Sequence, residues 1–235
     1  MNAPLLSDKN IQYGVLHNRK TAGTALKEVI SQQIERTPLM NVICFEHAMT
    51  FPLFVKKYPT AKAIFFVRDP ISRFVSGFYS RLRQGKPRYD FPWSKREAKA
   101  FARFSTPNQL AEALSSKRFF ERYAASSAMR SIRHVRHTFL EFLGNVAYLE
   151  KEADKIAFIG HQQDFDADFC KLRRLLKIDN DIDLPKDDVK AHRNPQDLDK
   201  ELSPKALINL KKWYQADYDI YHWCLEKREG FLQYA

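Results

Sequence analysis

The segment His17-Asn18-Arg19-Lys20-Thr21-Ala22-Gly23-Thr24-Ala25-Leu26 gathers the residue types from which an anion site is made. It follows the apolar pair Val15-Leu16 and precedes apolar residues at helical spacing. A strand, a lysine-bearing turn and a helix start present the unsatisfied N–H groups of a first helical turn to an anion. Lys20 adds a full charge, Thr21 and Thr24 offer hydroxyls, and Gly23, having no Cβ, lets the backbone come close. The segment Phe65-Phe66-Val67-Arg68-Asp69-Pro70 repeats the strand-to-helix pattern with an arginine. A guanidinium is a rigid fork suited to a phosphate, and Ser76 on the helix that follows can bond the same anion. Two such stations point to a ligand with two separate phosphate groups. A nucleoside triphosphate loop of the Gly-x-x-x-x-Gly-Lys-Ser/Thr type is not present, because Lys20 stands before the single Gly23.

Around these stations the chain alternates strand and helix patterns. Ile11 to Leu16, Val42 to Phe45, Ala63 to Val67 and Ile156 to Ile159 read as strands. The third is a continuous apolar run, as in a central strand buried on both faces. Helices are expected from Ala22 to about Thr37, Met49 to Lys57, and Asp69 to about Gly85, with Asp69 as N-cap and Pro70 in the first turn. Ile71, Phe74, Val75, Phe78, Tyr79 and Leu82 form the apolar stripe of that last helix, and Asp69, Ser72 and Ser76 its polar row. Residues 94–143 read as several helices broken near Ser105-Thr106-Pro107. Asp164 to Leu176 and one long helix from Ser203-Pro204 to about Glu226 complete the pattern, with a polar loop over 179–197. Strands alternating with helices imply parallel pairing in an α/β layer fold, whose ligands bind beyond the carboxyl ends of the strands. The reading is one domain over residues 1–235.

Composition limits the function classes. Between Arg73 and Arg136 stand 15 Lys+Arg against 4 Asp+Glu, so this stretch holds the whole net charge of +11. Such a stretch is a solvated basic face or a field for an anionic ligand. Arg83, Lys86 and Arg88 open a run in which basic residues alternate with Tyr89 and Trp93, a composition that grips a sugar or a nucleic acid. His134 and His137 are three apart, with no third ligand at usable spacing, and read as a solvated pair. No apolar stretch is long enough for a membrane span. Cys44, Cys170 and Cys224 fit neither a metal spacing nor a disulfide framework, which suits a reducing cytoplasm. On the residues alone, a kinase on a related phosphate loop and a non-enzymatic nucleic-acid binder stay open as alternatives.

The two motifs together resemble those of sulfotransferases that use 3′-phosphoadenosine 5′-phosphosulfate (PAPS). His17 to Leu26 is similar to their 5′-phosphosulfate loop, Pro-Lys-Thr-x-Gly-Thr, with Arg19 where proline is usual. Arg68, Asp69, Pro70, Arg73 and Ser76 match their 3′-phosphate motif, Arg-Asp-Pro-x-x-Arg-x-x-Ser. The resemblance implies a three-layer P-loop-like α/β fold with a central, mostly parallel sheet and a basic helical insert at about 86–145. It implies PAPS as donor, with adenosine 3′,5′-bisphosphate as product and no metal required. Arg19, Lys20, Thr21, Ala22, Gly23, Thr24 and Ala25 would hold the phosphosulfate, Arg68 and Ser76 the 3′-phosphate, and Arg193 of the late basic loop would reach the same phosphate. A hydroxyl acceptor needs a general base, and an imidazole titrates near neutral pH. His47, after the second strand, is the candidate, with Glu46 as a competing base or as the group that orients it. Arg83, Lys86 and Arg88 would line the acceptor side, favouring an anionic glycan over nucleic acid.

Overall fold

The computed structural model describes residues 11–37, 41–184 and 198–232. The chain runs β1 (Tyr13–Leu16), α1 (Gly23–Arg36), β2 (Val42–Phe45), α2 (Phe51–Lys57) and β3 (Lys62–Val67) in strict alternation. Five helices follow: α3 (Pro70–Leu82), α4 (Lys95–Phe101), α5 (Pro107–Ala113), α6 (Phe119–Ser131) and α7 (Arg133–Arg136). Then come α8 (Phe139–Leu143), α9 (Val146–Lys151), β4 (Ile156–His161), α10 (Phe165–Leu176), α11 (Pro204–Trp213) and α12 (Gln215–Leu232). Two compact units result. Among the described residues, the first takes 11–37, 41–68, 139–184 and 220–232, and the second takes 69–138 and 198–219.

The first unit is an α/β layer built on one sheet of order β2-β1-β3-β4, every pair parallel. Ala63 to Val67 of β3 are almost wholly buried, which is why that strand is apolar without alternation. Val15, Ile64, Phe66 and Phe158 of the sheet pack with Leu26, Val29 and Ile30 of α1 and with Phe169 and Leu172 of α10. The neighbours of β1 lie on opposite sides of it, β2 reached through α1 and β3 through α2. The connections therefore reverse direction between β1 and β3, the place where sheets of this order bind ligands. The loops after β1, β2 and β3 all leave from the same carboxyl edge. Among the described residues, no helix is long and apolar enough to cross a membrane.

Among its described residues the second unit contains helices joined by loops and no strand. Asp69 Oδ1 accepts from Ser72 N at 2.7 Å and starts α3, as the Asp-Pro pair predicts. Gly85, at φ +89, takes the left-handed conformation just past the helix end, where its N–H reaches the Ser80 carbonyl. The stripe Ile71, Phe74, Val75, Phe78 and Tyr79 enters a core with Phe101, Leu110, Met129, Leu210 and Tyr214.

Three expectations fail in this unit. Ser76 is buried, not displayed on a polar face, because α3 is enclosed by α5, α7 and α11 rather than by one neighbour. His134 is buried too: its backbone and Cβ fill the space beside Gly77, and its Nε2 meets the Tyr89 hydroxyl at 3.3 Å. The single last helix breaks into α11 and α12 at Tyr214. The Tyr214 ring is drawn into the core and its hydroxyl donates to the Val135 carbonyl at 3.0 Å.

Enclosing α3 buries two of the basic residues counted above. Arg73 Nη2 donates to Asp217 at 2.9 Å and Nη1 to the His137 carbonyl at 2.7 Å. Arg81 grips Glu97 with Nε at 2.8 Å and Nη2 at 3.1 Å, and also donates to the carbonyls of Phe91 and Pro92. Glu97 in turn accepts from the backbone N–H groups of Ser94 and Arg133. Burial resists the Glu97 charge, but these donors hold its carboxyl below the usual range. One ion pair thus ties α3, the start of α4 and the start of α7. Breaking it leaves a buried charge without its partner. Arg81→Met or Glu97→Leu alone is expected to cost about 3–5 kcal/mol in urea unfolding, and the double substitution clearly less than their sum.

Candidate functional site

Leu16 of β1 pairs with Phe45 of β2, so the chain leaves both strands side by side. That register sets His47 against His17. His47 Nδ1 lies 2.8 Å from the His17 carbonyl, and the two imidazoles meet at 49° with centroids 4.1 Å apart. A carbonyl oxygen only accepts, so Nδ1 carries the hydrogen. In the neutral ring the lone pair then sits on Nε2, the nitrogen a base would use.

His17 itself is kept neutral. Its Nδ1 is shut from solvent without a hydrogen-bond partner. Burial pushes the imidazole down to about 3, and His47, Lys27 and Arg19 push the same way, against the pull of Glu46. The His17 ring also accounts for Gly23. A Cβ on Gly23 would stand 2.2 Å from His17 Cδ2. The glycine serves ring packing beneath the start of α1, whereas the left-handed backbone of this loop falls on Lys20 (φ 63) and Ala22 (φ 68). Two non-glycine residues in that conformation mark a loop whose shape is imposed by its surroundings.

The loop is drawn in on itself. Thr21 is buried and its hydroxyl donates to the Asn18 carbonyl at 3.1 Å, closing the turn. Asn18 is buried as well, and its Nδ2 has no hydrogen-bond partner. At its N-terminus α1 has Ala22 as N-cap and no side-chain cap. The helices α2, α3, α4, α5, α9 and α11 each begin with a side chain accepting a backbone N–H, whereas α6, α7 and α10, like α1, have no such cap. An orphan buried amide donor, an uncapped helix start and Lys20 in one loop suit an anionic group. Thr24 is half-buried and Ala25 buried in the first turn of α1.

The second station meets the first. Arg68 follows β3, and its Nη1 donates to the Lys20 carbonyl at 3.3 Å. Glu46 is exposed and ion-paired with Lys27 of α1, whose ammonium holds the carboxyl below its usual range. That pairing weakens Glu46 as a proton acceptor and leaves the imidazole as the better one. Cys44, the neighbour in β2, is no nucleophile, since burial pushes its thiol up to about 12.

Of the three residues expected on an acceptor side, Arg83 turns into its own loop, with Nε donating to the Lys86 carbonyl at 2.6 Å. Lys86 pairs with Asp90 at 3.1 Å on the surface, and Arg88 is exposed. Arg193 lies outside the described residues. Among the described residues, no group of three or more His, Cys, Asp or Glu is gathered in a way that could hold a metal ion.

The sequence reading passed over one further group at this edge. His161, paired with Val67 in the sheet, ends β4. Its Nδ1 meets Asp164 at 3.0 Å and its Nε2 the Tyr221 hydroxyl at 2.9 Å, while Asp168 accepts its backbone N–H. Arg228 of α12 bridges Asp164 and Asp168. This network pins α12 to the strand beside β3. The only signal for it in the sequence was a histidine at a strand end.

The model describing the sulfotransferase family matches residues 12–223 of the chain. Comparison with curated proteins and with solved structures gave no match.

The neutral His17 has a consequence for acid stability. Unfolding returns its pKa to about 6.5, so between pH 6.5 and about 3 the unfolded chain holds one more proton at this residue. This part of the stability is complete above pH 6.5 and is lost as pH falls toward 3. It contributes a slope of about 1.4 kcal/mol per pH unit at most. Unfolding free energies measured across that window are expected to fall less steeply in His17→Leu than in the wild type.

Proposed function

We propose, from the premise that this chain belongs to the sulfotransferase family, that it moves a sulfuryl group from PAPS to a hydroxyl of a carbohydrate or other glycan. Sulfuryl transfer is the reaction of that family. The observation that best supports the base assignment is the His47 Nδ1 bond to the His17 carbonyl. It orients an imidazole from β2 beside the residue that opens the lysine loop.

When bound, the donor supplies the sulfuryl group and leaves as adenosine 3′,5′-bisphosphate. Lys20, the first-turn backbone of Ala22, Gly23, Thr24 and Ala25, and the side chains of Arg19 and Thr21 would hold its phosphosulfate end. Asn18 joins them through its orphan amide. Arg68 and Ser76 are assigned to the 3′-phosphate by the motif, and Arg193 by the resemblance of its late basic loop. The Lys20 ammonium neutralises negative charge collecting at the bridging oxygen, at no cost of reorganisation once the loop is set. His47 Nε2 takes the proton of the acceptor hydroxyl as that oxygen becomes a nucleophile. Glu46, tied to Lys27, flanks the imidazole in the chain and takes no proton in this scheme. Positive charge in this scheme comes from side chains and the helix start, and no metal is called for. Arg83, Lys86 and Arg88 form the acceptor side and suit a glycan that is already anionic.

Titration calorimetry is expected to show the protein binding adenosine 3′,5′-bisphosphate without magnesium. Magnesium-dependent ATP binding with no affinity for the bisphosphate would overturn the donor assignment in favour of a kinase. With labelled PAPS and a panel of glycans, lipids and phenols, Lys20→Ala is expected to lower kcat about a hundredfold or more. Its unfolding midpoint should stay close to that of the wild type. His47→Ala should lose roughly a hundredfold in kcat/KM, and with it the acid limb of the pH–rate profile.

The acceptor assignment separates from the donor assignment kinetically. Lys86→Ala with Arg88→Ala is expected to raise acceptor KM several-fold by removing two exposed cations, with bisphosphate affinity unchanged. An equal fall in both affinities shows that these residues serve the donor instead.

A further inference from the structure

The first five residues of α6 display three aromatic rings to solvent. Phe119 is 63% exposed, Phe120 79% and Tyr123 67%. The fold does not need them, because α6 is seated in its unit by Ala125, Ala128 and Met129 on the other face. Phenylalanine rings exposed to this degree, side by side, mark an interaction surface. Lys117, Arg118 and Arg122 are exposed around the rings. Arg122 lies over the Phe119 ring at 5.9 Å and donates to the Ser116 carbonyl. Glu121, the acid of this segment, accepts from the Ser116 hydroxyl at 2.6 Å and is half-buried. The patch is therefore apolar at its centre and positive at its rim.

Charge complementarity calls for an anionic partner, and ring geometry selects among anionic partners. Phe119 and Tyr123 lie within 22° of each other, but Phe120 stands at 76° to Phe119, so the three rings together offer a linear glycan no one plane on which to stack. The rings have no hydrogen-bonding atom to read hydroxyls, Tyr123 excepted. A bilayer interface is fluid and accepts rings at any mutual angle, while lysine and arginine remain at the phosphate level.

We infer that Lys117 to Tyr123 is a peripheral docking surface for an anionic lipid bilayer. The rings enter the interfacial layer, and Lys117, Arg118 and Arg122 contact the headgroups. This surface holds the protein to a membrane by one face of a short helical segment, and it does not rest on the donor, base or acceptor assignments above.

The test is co-sedimentation of the full chain with vesicles of phosphatidylcholine alone and of phosphatidylcholine mixed with phosphatidylserine. Binding is expected to the mixed vesicles, weak binding to the neutral ones, and release by salt. Phe119→Ser with Phe120→Ser should weaken binding about tenfold or more. Arg118→Ser with Arg122→Ser should weaken it about fivefold per charge. Phe120→Trp should keep binding, and the emission of the indole it introduces should shift to the blue on mixed vesicles, read as the difference from the wild type. Equal thermal unfolding of all variants shows that the losses are not unfolding. The inference is overturned by a wild type that ignores phosphatidylserine, by binding that survives removal of both rings, or by an indole emission in Phe120→Trp that mixed vesicles leave unshifted. Ring-dependent binding to a soluble sulfated glycan that vesicles do not compete away would overturn it in favour of a glycan site. Ring-dependent self-association would overturn it in favour of a protein contact.

Discussion

Parallel pairing of β1 between β2 and β3 is the constraint on which the candidate site depends. Parallel strands end at the same edge, so the residues that follow them are neighbours however far apart they lie in the chain. The lysine loop, His47 and Arg68 each come directly after one of these strands. Shifting β2 by one residue against β1 would move His47 away from the His17 carbonyl and turn the strand's side chains to the other face. The site is thus an outcome of register, and register is set by the buried faces of the strands.

Within that frame the loop after β1 is held by its own contacts. The His17 ring sits under Gly23, its carbonyl takes the His47 hydrogen, and Thr21 closes on Asn18. Lys20 and Ala22 occupy left-handed backbone that neither residue prefers. Contacts within the chain thus fix the loop's shape, and a loop so fixed favours binding because little ordering is left to be done. A neutral His17 belongs to the same design, since a charged ring there would face Lys27 and Arg19 and repel the cations the loop needs.

The basic surplus of the middle of the chain divides into two populations. Arg73 and Arg81 are internal, matched by Asp217 and Glu97, and they join helices into one unit. Others, such as Arg88, Lys117, Arg118 and Arg122, stay on the surface. A count of charges sees one field. The structure separates cations that organise the fold from cations that can meet a partner.

Much of the frame was legible in the sequence because it is encoded locally. The apolar run Ala63 to Val67, the Asp69-Pro70 start and the stripe of α3 each depend on residues within a few positions of one another. So does the lysine turn before an amphipathic helix, and in each case the element formed where its pattern lay. What was not legible depends on distant partners. Ser76 and His134 proved buried because other helices enclose α3, and the last helix broke where Tyr214 found the Val135 carbonyl. Gly23 falls in the loop after β1, and the structure adds a reason for it that the sequence did not show, since the ring of His17 stands where its Cβ would be. By itself the sequence determined the order of strands, turns and helices and the types of residue at the strand ends. Only the tertiary structure decided which His47 nitrogen carries hydrogen, which carboxylate is tied up by a lysine, and which arginines are inside. Those outcomes follow from hydrogen bonds and burial between segments far apart in the chain, and no local pattern specifies them.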